Sequence, residues 1–95
     1  MVVGTLLITL QVPDSGSLKE KRQVVRSLTA RLRNTFNVAV AEVGDQNLWQ
    51  SAVIGVACVS ENARHADEMC QKALRFVEDE GSALVLRTRF ELLHV

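Results

Sequence analysis

Two stretches with the 3.6-residue period of a helix are set among four with the two-residue period of a strand, and their order leaves few folds open. Val2–Val12 alternates, with Val2, Gly4, Leu6, Ile8, Leu10 and Val12 on one face and Val3, Thr5, Leu7, Thr9 and Gln11 on the other. Pro13-Asp14-Ser15-Gly16 is turn chemistry and ends the strand. Ser17–Asn34 is helical: Leu18, Val24, Val25, Leu28 and Leu32 gather into one sector. Ser17 and Glu20 predict a capping box, in which the Ser oxygen accepts the Glu20 N–H and the carboxylate reaches back to the N–H of Ser17. Phe36–Val43 is the second strand, Gly44–Asn47 a turn and Trp49–Val59 the third strand, so these two form an antiparallel hairpin. Ser60 or Asn62 caps a second helix that runs to about Glu80. It buries Ala66, Met69, Cys70, Ala73, Leu74 and Val77, and Gly81 stops it. Ala83–Val95 alternates again, with Leu84, Leu86, Thr88, Phe90 and Leu92 opposed to Val85, Arg87, Arg89, Glu91 and Leu93.

The order β-α-β-β-α-β predicts an α+β domain over residues 1–95. Four antiparallel strands form one sheet and two helices cover one face, the ferredoxin-like split βαβ plan. The other face stays open. By parity it carries Val3, Thr5, Leu7 and Thr9 from the first strand and Val85, Arg87, Arg89, Glu91 and Leu93 from the last, a mixed surface suited to contacts.

Charge is distributed unevenly. Eleven basic and eleven acidic residues leave the chain neutral, so affinity for a polyanion has to come from a patch. The first helix supplies one: Lys19, Lys21, Arg22, Arg26, Arg31 and Arg33 stand against Glu20 alone, a net of +5. The second helix is acidic, with a net of −3 from Glu61 to Glu80. Apolar runs fall far short of the ~20 residues that span a bilayer, and the N-terminus lacks the basic start of a signal peptide. Cys58 and Cys70 are then expected as reduced, buried thiols of a cytoplasmic protein.

Catalytic apparatus is not visible. An acylphosphatase-like phosphate cradle needs several glycines and an Arg after the first strand; this loop reads VPDSGSLK. Iron–sulfur ligation needs four cysteines per cluster, and the chain has two. No convergent Cys and His spacing suggests zinc, and His65 and His94 have no local nucleophile or acid. The expectation is no enzyme activity, no cofactor, no metal and no small-molecule substrate. Glu42 shares parity with Phe36, Val38 and Val40. A strand end or bulge that carries it to solvent, or to a basic residue of the first helix, answers the cost of burying it. Trp49 reads as a hydrophobic plug beside the hairpin. Apart from Trp49 at the very start of the third strand, the central strands lack the stacking aromatics with which an RRM-type sheet reads bases.

Lys19, Arg22, Arg26 and Arg33 form a stripe beside the apolar sector. Two readings stand: a solvated face partly paired with acids, or contact with phosphates by Lys19, Lys21, Arg22, Arg26 and Arg33, joined by Arg87 and Arg89. For Arg87 and Arg89 the rival is pairing with Glu91 or a cross-strand acid.

SLKEKR opening a helix, FNVAVAEV, Trp49-Gln50 at the head of an apolar strand and Gly55-Val56-Ala57 within it resemble the small bacterial YlxP-like family, over essentially the whole chain. The resemblance implies the ferredoxin-like fold. It also implies a role near RNA or the ribosome, because the family's genes tend to lie beside those for translation initiation and ribosome maturation factors. The functional expectation is a non-enzymatic RNA- or ribosome-associated module. Its alternative is a homo-oligomeric protein–protein interaction domain that uses the open sheet face.

Overall fold

The computed structural model describes residues 1–13 and 15–95; Asp14, in the expected turn, lies outside the described residues. The elements are β1 (Val2–Gln11), α1 (Leu18–Thr35), β2 (Ala39–Gly44), β3 (Ser51–Ser60), α2 (Ala63–Glu80) and β4 (Leu84–His94). The sheet order is β2-β3-β1-β4 and every neighbouring pair is antiparallel. β1 and β2 are joined through α1 yet separated by β3, so the fold is the ferredoxin-like split βαβ. α1 packs toward β2, whereas α2 packs over β1, β3 and β4. No helix among the described residues is long and apolar enough to cross a membrane.

One face of the two central strands makes the core. Leu6, Ile8 and Leu10 of β1 and Ala52, Ile54 and Val56 of β3 are buried against Val25, Leu28 and Leu32 of α1 and Ala66, Cys70, Ala73 and Val77 of α2. Phe36, just past α1, meets Phe76 of α2 edge to face at 5.8 Å. Arg31 and Glu80, 3.0 Å apart, link the helices on the outside.

The helix ends follow their caps. Ser17 Oγ accepts the Glu20 N–H at 3.2 Å. The return bond, however, runs from the Gly16 N–H to Glu20 Oε2 at 2.6 Å, one residue farther out than the expected Ser17. Asn62, not Ser60, caps α2: its side chain accepts the His65 N–H at 2.8 Å. Gly81 closes α2 at φ +78°, a left-handed turn that costs glycine nothing.

Two irregularities change which residues face where. The β1–β4 register shifts between Thr9 and Leu10: Thr9 pairs with Arg87, but Leu10 pairs with Val85. Leu86 is the extra residue of a bulge. Val85, expected on the open face, therefore packs against the core, and Leu84 is exposed opposite Gln11. Arg87, Arg89, Glu91 and Leu93 keep the open face. In β2 a second shift sets Val43 out of the ladder between Glu42 and Gly44. β2 begins only at Ala39 and β3 only at Ser51, so Trp49 lies outside the strand. It plugs nothing: it is 54% exposed, beside Leu48 at 53%. A shallow apolar groove of about 350 Å³ crosses the open face, with Ala39, Ala41, Gly55 and Ala57 as its small residues and Leu7 and Val43 at its sides.

Cys58 and Cys70 are free and buried, with sulfurs 3.9 Å apart. Gly4 makes room for them: a Cβ there would lie 3.1 Å from Cys58 Sγ and 3.2 Å from Cys70 Sγ. Gly4→Val should therefore cost about 1–3 kcal/mol by overpacking, read as a lower midpoint in urea unfolding. Burial first, and the neighbouring Cys58 thiol second, push Cys70 up from 9.0 to about 12. The unfolded chain releases this proton near pH 9 and the folded chain does not. Stability is thus whole below pH 9 and declines from 9 toward 12. At pH 8 neither thiol should react with an aromatic disulfide reagent until denaturant is added.

Candidate nucleic-acid interface

Of the five α1 cations singled out in the sequence, one is not at the surface. Lys21 falls on the same helical sector as Leu18, Val25, Leu28 and Leu32, and its side chain is fully buried. Its ammonium donates to three backbone carbonyls, two in the β2–β3 turn, Asp45 at 2.8 Å and Gln46 at 3.2 Å, and one at the start of β3, Ser51 at 3.2 Å. The carboxylate of Glu42 stands 3.0 Å away. Lys21 therefore meets no phosphate. It holds a turn.

Glu42 is the matching half. The bulge at Val43 leaves its side chain on the helix side of the sheet, 19% exposed, directly under α1. The three N–H bonds of Lys21 are spent on carbonyls, so the carboxylate contributes charge rather than a further hydrogen bond. Asp45 adopts φ +58°, a left-handed conformation that Asp tolerates better than most residues. It is held by Lys21 at its carbonyl and by Ser51, whose hydroxyl donates to Asp45 Oδ2 at 2.6 Å.

The rest of the stripe is exposed. Lys19, Arg22, Arg26 and Arg33 all reach solvent. Among the described residues Lys19, Arg22 and Arg26 make no ion pair. Arg22, Val25, Arg26, Thr29 and Glu42 line a cleft of about 270 Å³. An anion in that cleft would meet two guanidinium groups and the edge of the Lys21–Glu42 pair. Arg33 is partly engaged, donating to Val40 O at 2.8 Å.

Arg87 and Arg89 do not join this stripe. They lie on the open face of β4, and α1 covers the other face near β2 at the far edge. Three strand spacings of about 4.8 Å and the thickness of the sheet separate the two sets. Arg89 is paired with Glu91 of its own strand at 2.8 Å. His65 is exposed, with its ring Nδ1 3.2 Å from Ser60 Oγ. No group of His, Cys, Asp and Glu among the described residues is arranged to hold a metal.

Removing one half of the buried pair strands the other. Lys21→Ala should cost about 3–5 kcal/mol, since it leaves Glu42 and three carbonyls without their cation. Glu42→Gln should cost clearly less, because the ammonium keeps its carbonyls. Paired urea denaturation curves check both.

Residues 3–90 match the family model described as "Protein of unknown function (DUF503)". The chain is also 40% identical over 65 residues to "Uncharacterized protein YlxP" of Bacillus subtilis (strain 168), an alignment covering 68% of this chain and 71% of that protein. A ferredoxin-like domain matched over nearly its whole length in this way belongs to the DUF503 family.

Proposed function

We propose that the protein is a non-enzymatic, cytoplasmic accessory module that meets RNA, free or within the ribosome, through the outer stripe of α1. The observation that carries this reading is that Arg22 and Arg26 are exposed, one turn apart and in no ion pair among the described residues, Glu42 of the same cleft being paired with Lys21. Lys19, three residues before Arg22, and Arg33, seven after Arg26, extend the stripe. Lys21, Arg87 and Arg89 leave the footprint, the first by burial and the others by position.

Four phosphate contacts support weak binding that is sensitive to salt. On a single strand the logarithm of affinity should fall with a slope of about −3 against the logarithm of salt, at about 0.7 per phosphate. Sequence preference should be small, because among the described residues the open faces of the central strands β1 and β3 carry no aromatic side chain to stack bases. The translation setting rests on the family resemblance alone.

Fluorescence anisotropy with a structured RNA across a salt series tests the reading. Replacing Arg22 and Arg26 together by Ala should weaken binding and reduce the slope by about 1.4, two phosphates' worth. Arg87→Ala should leave both unchanged. An R22A/R26A chain that binds as tightly as the parent overturns the proposal.

A further inference from the structure

The two edges of the sheet are finished differently. Their backbone orientation follows from two sets of bonds at the strand ends. Val95 N–H donates to Met1 O at 2.8 Å and the Met1 ammonium to Val95 O at 3.1 Å. In an antiparallel ladder bonded pairs alternate. With the register unbroken from Val2 to Thr9, Val3–Leu93, Thr5–Glu91, Leu7–Arg89 and Thr9–Arg87 are therefore the bonded pairs. The intervening residues, Thr88, Phe90, Leu92 and His94, turn their N–H and C=O groups to the free edge of β4.

The same reasoning applies at the opposite edge. Val12 N–H donates to Gln50 O at 2.8 Å, which aims the even-numbered residues of β3 at β1 and the odd-numbered ones at β2. Val40 and Glu42 then point their carbonyls outward. Both are taken: Arg33 donates to Val40 O at 2.8 Å and Gln46 donates to Glu42 O at 3.4 Å. Side chains thus occupy both outward carbonyls of β2. Among the described residues nothing does so for Thr88, Phe90, Leu92 or His94. β4 is also a long edge strand, eleven residues, and unprotected edges of this kind template strand pairing.

We propose that the free edge of β4 pairs antiparallel with β4 of a second copy of this chain, centred on Phe90, to make a continuous eight-stranded sheet. The charges of the strand select both partner and register. The outward-facing groups allow two-fold pairings centred on Arg89, Phe90, Glu91, Leu92 or Leu93; centring on Leu92 or Leu93 sets no arginine opposite a glutamate. Centring on Arg89 opposes two arginines, and centring on Glu91 opposes two glutamates. Centring on Phe90 sets Arg89 opposite Glu91 of the second copy, twice. Each Arg89 is already 2.8 Å from its own Glu91, so the four side chains form a square of alternating charge on the open face. Phe90 meets its copy on the helix side, and Thr88 pairs with Leu92. Three residue pairs exchange about six main-chain bonds, and the Leu86 bulge ends the ladder. This inference stands apart from the RNA reading, since it uses the other edge of the sheet.

Sedimentation velocity of the full chain from micromolar to about 100 µM provides the test, with circular dichroism confirming that each variant folds. The parent should show a concentration-dependent dimer. Thr88→Pro removes an outward N–H that the β1–β4 ladder does not use, and it should leave a folded monomer. Arg89→Glu and Glu91→Arg should each weaken the dimer about tenfold or more, and the double exchange R89E/E91R should restore it. A parent that stays monomeric at 100 µM overturns the proposal. So does a dimer indifferent to T88P and R89E but lost on Val43→Lys, which would place the contact in the groove of the open face.

Discussion

The Lys21 ammonium is the point on which the rest of the structure depends. An uncompensated charge in an interior costs several kcal/mol, so this one is tolerated only because four groups converge on it. Those groups come from the end of β2, the turn after it and the start of β3. The cation thus ties the first helix to a connection more than twenty residues away. It fixes where α1 lies over β2, and with it the direction in which the outer arginines project. The surface stripe is exposed in its present orientation because its inward neighbour is not.

The two sheet edges complete the picture. Arg33 serves two purposes at once, lying in the basic stripe and shielding a carbonyl of β2. At the edge nearest the cationic helix the outward carbonyls are thereby occupied by side chains. The distant edge has the reverse character. Its outward backbone groups are unshielded among the described residues, and Glu91 pairs with Arg89. A dimer formed there leaves both cationic helices at the outer ends of the assembly, unobstructed by the contact.

Element order, sheet plan and most of the core were legible because periods of two and 3.6 are strong signals over ten residues or more. Ser17 and Gly81 marked helix ends for the same local reason. The exceptions arise where one residue is added to a ladder. Nothing in LVLRTRFELL distinguishes a bulge at Leu86 from unbroken alternation, and the bulge turned Val85 inward. Trp49 was misread because composition favours burying an indole, whereas the strand begins two residues later. The Lys21–Glu42 pair was half visible. Glu42 stood on an apolar face, with an escape to solvent at a strand end or bulge, or a basic residue of α1, as its expected relief; the structure supplies the second, since Glu42 stays on the helix side beside Lys21. Lys21 stood at helical spacing with Leu18, Val25 and Leu28. Grouping it with its charged neighbours, rather than by angle, hid a partner of the right sign. Of the candidate stripe, the four outer residues were legible; the separation of Arg87 and Arg89 from them was not, because it depends on sheet order.

The uneven sharing of charge between the helices has a consequence for how this neutral molecule moves. α1 carries the excess of positive charge at the β2 side, and α2 carries an excess of negative charge over β1, β3 and β4. The helices run in opposite directions, so their backbone dipoles largely cancel and the side chains set the balance. A uniform field would rotate such a molecule without transporting it. Near a polyanion, it would turn its α1 side forward before any contact formed. Orientation would therefore be selected during the approach, through torque rather than net attraction.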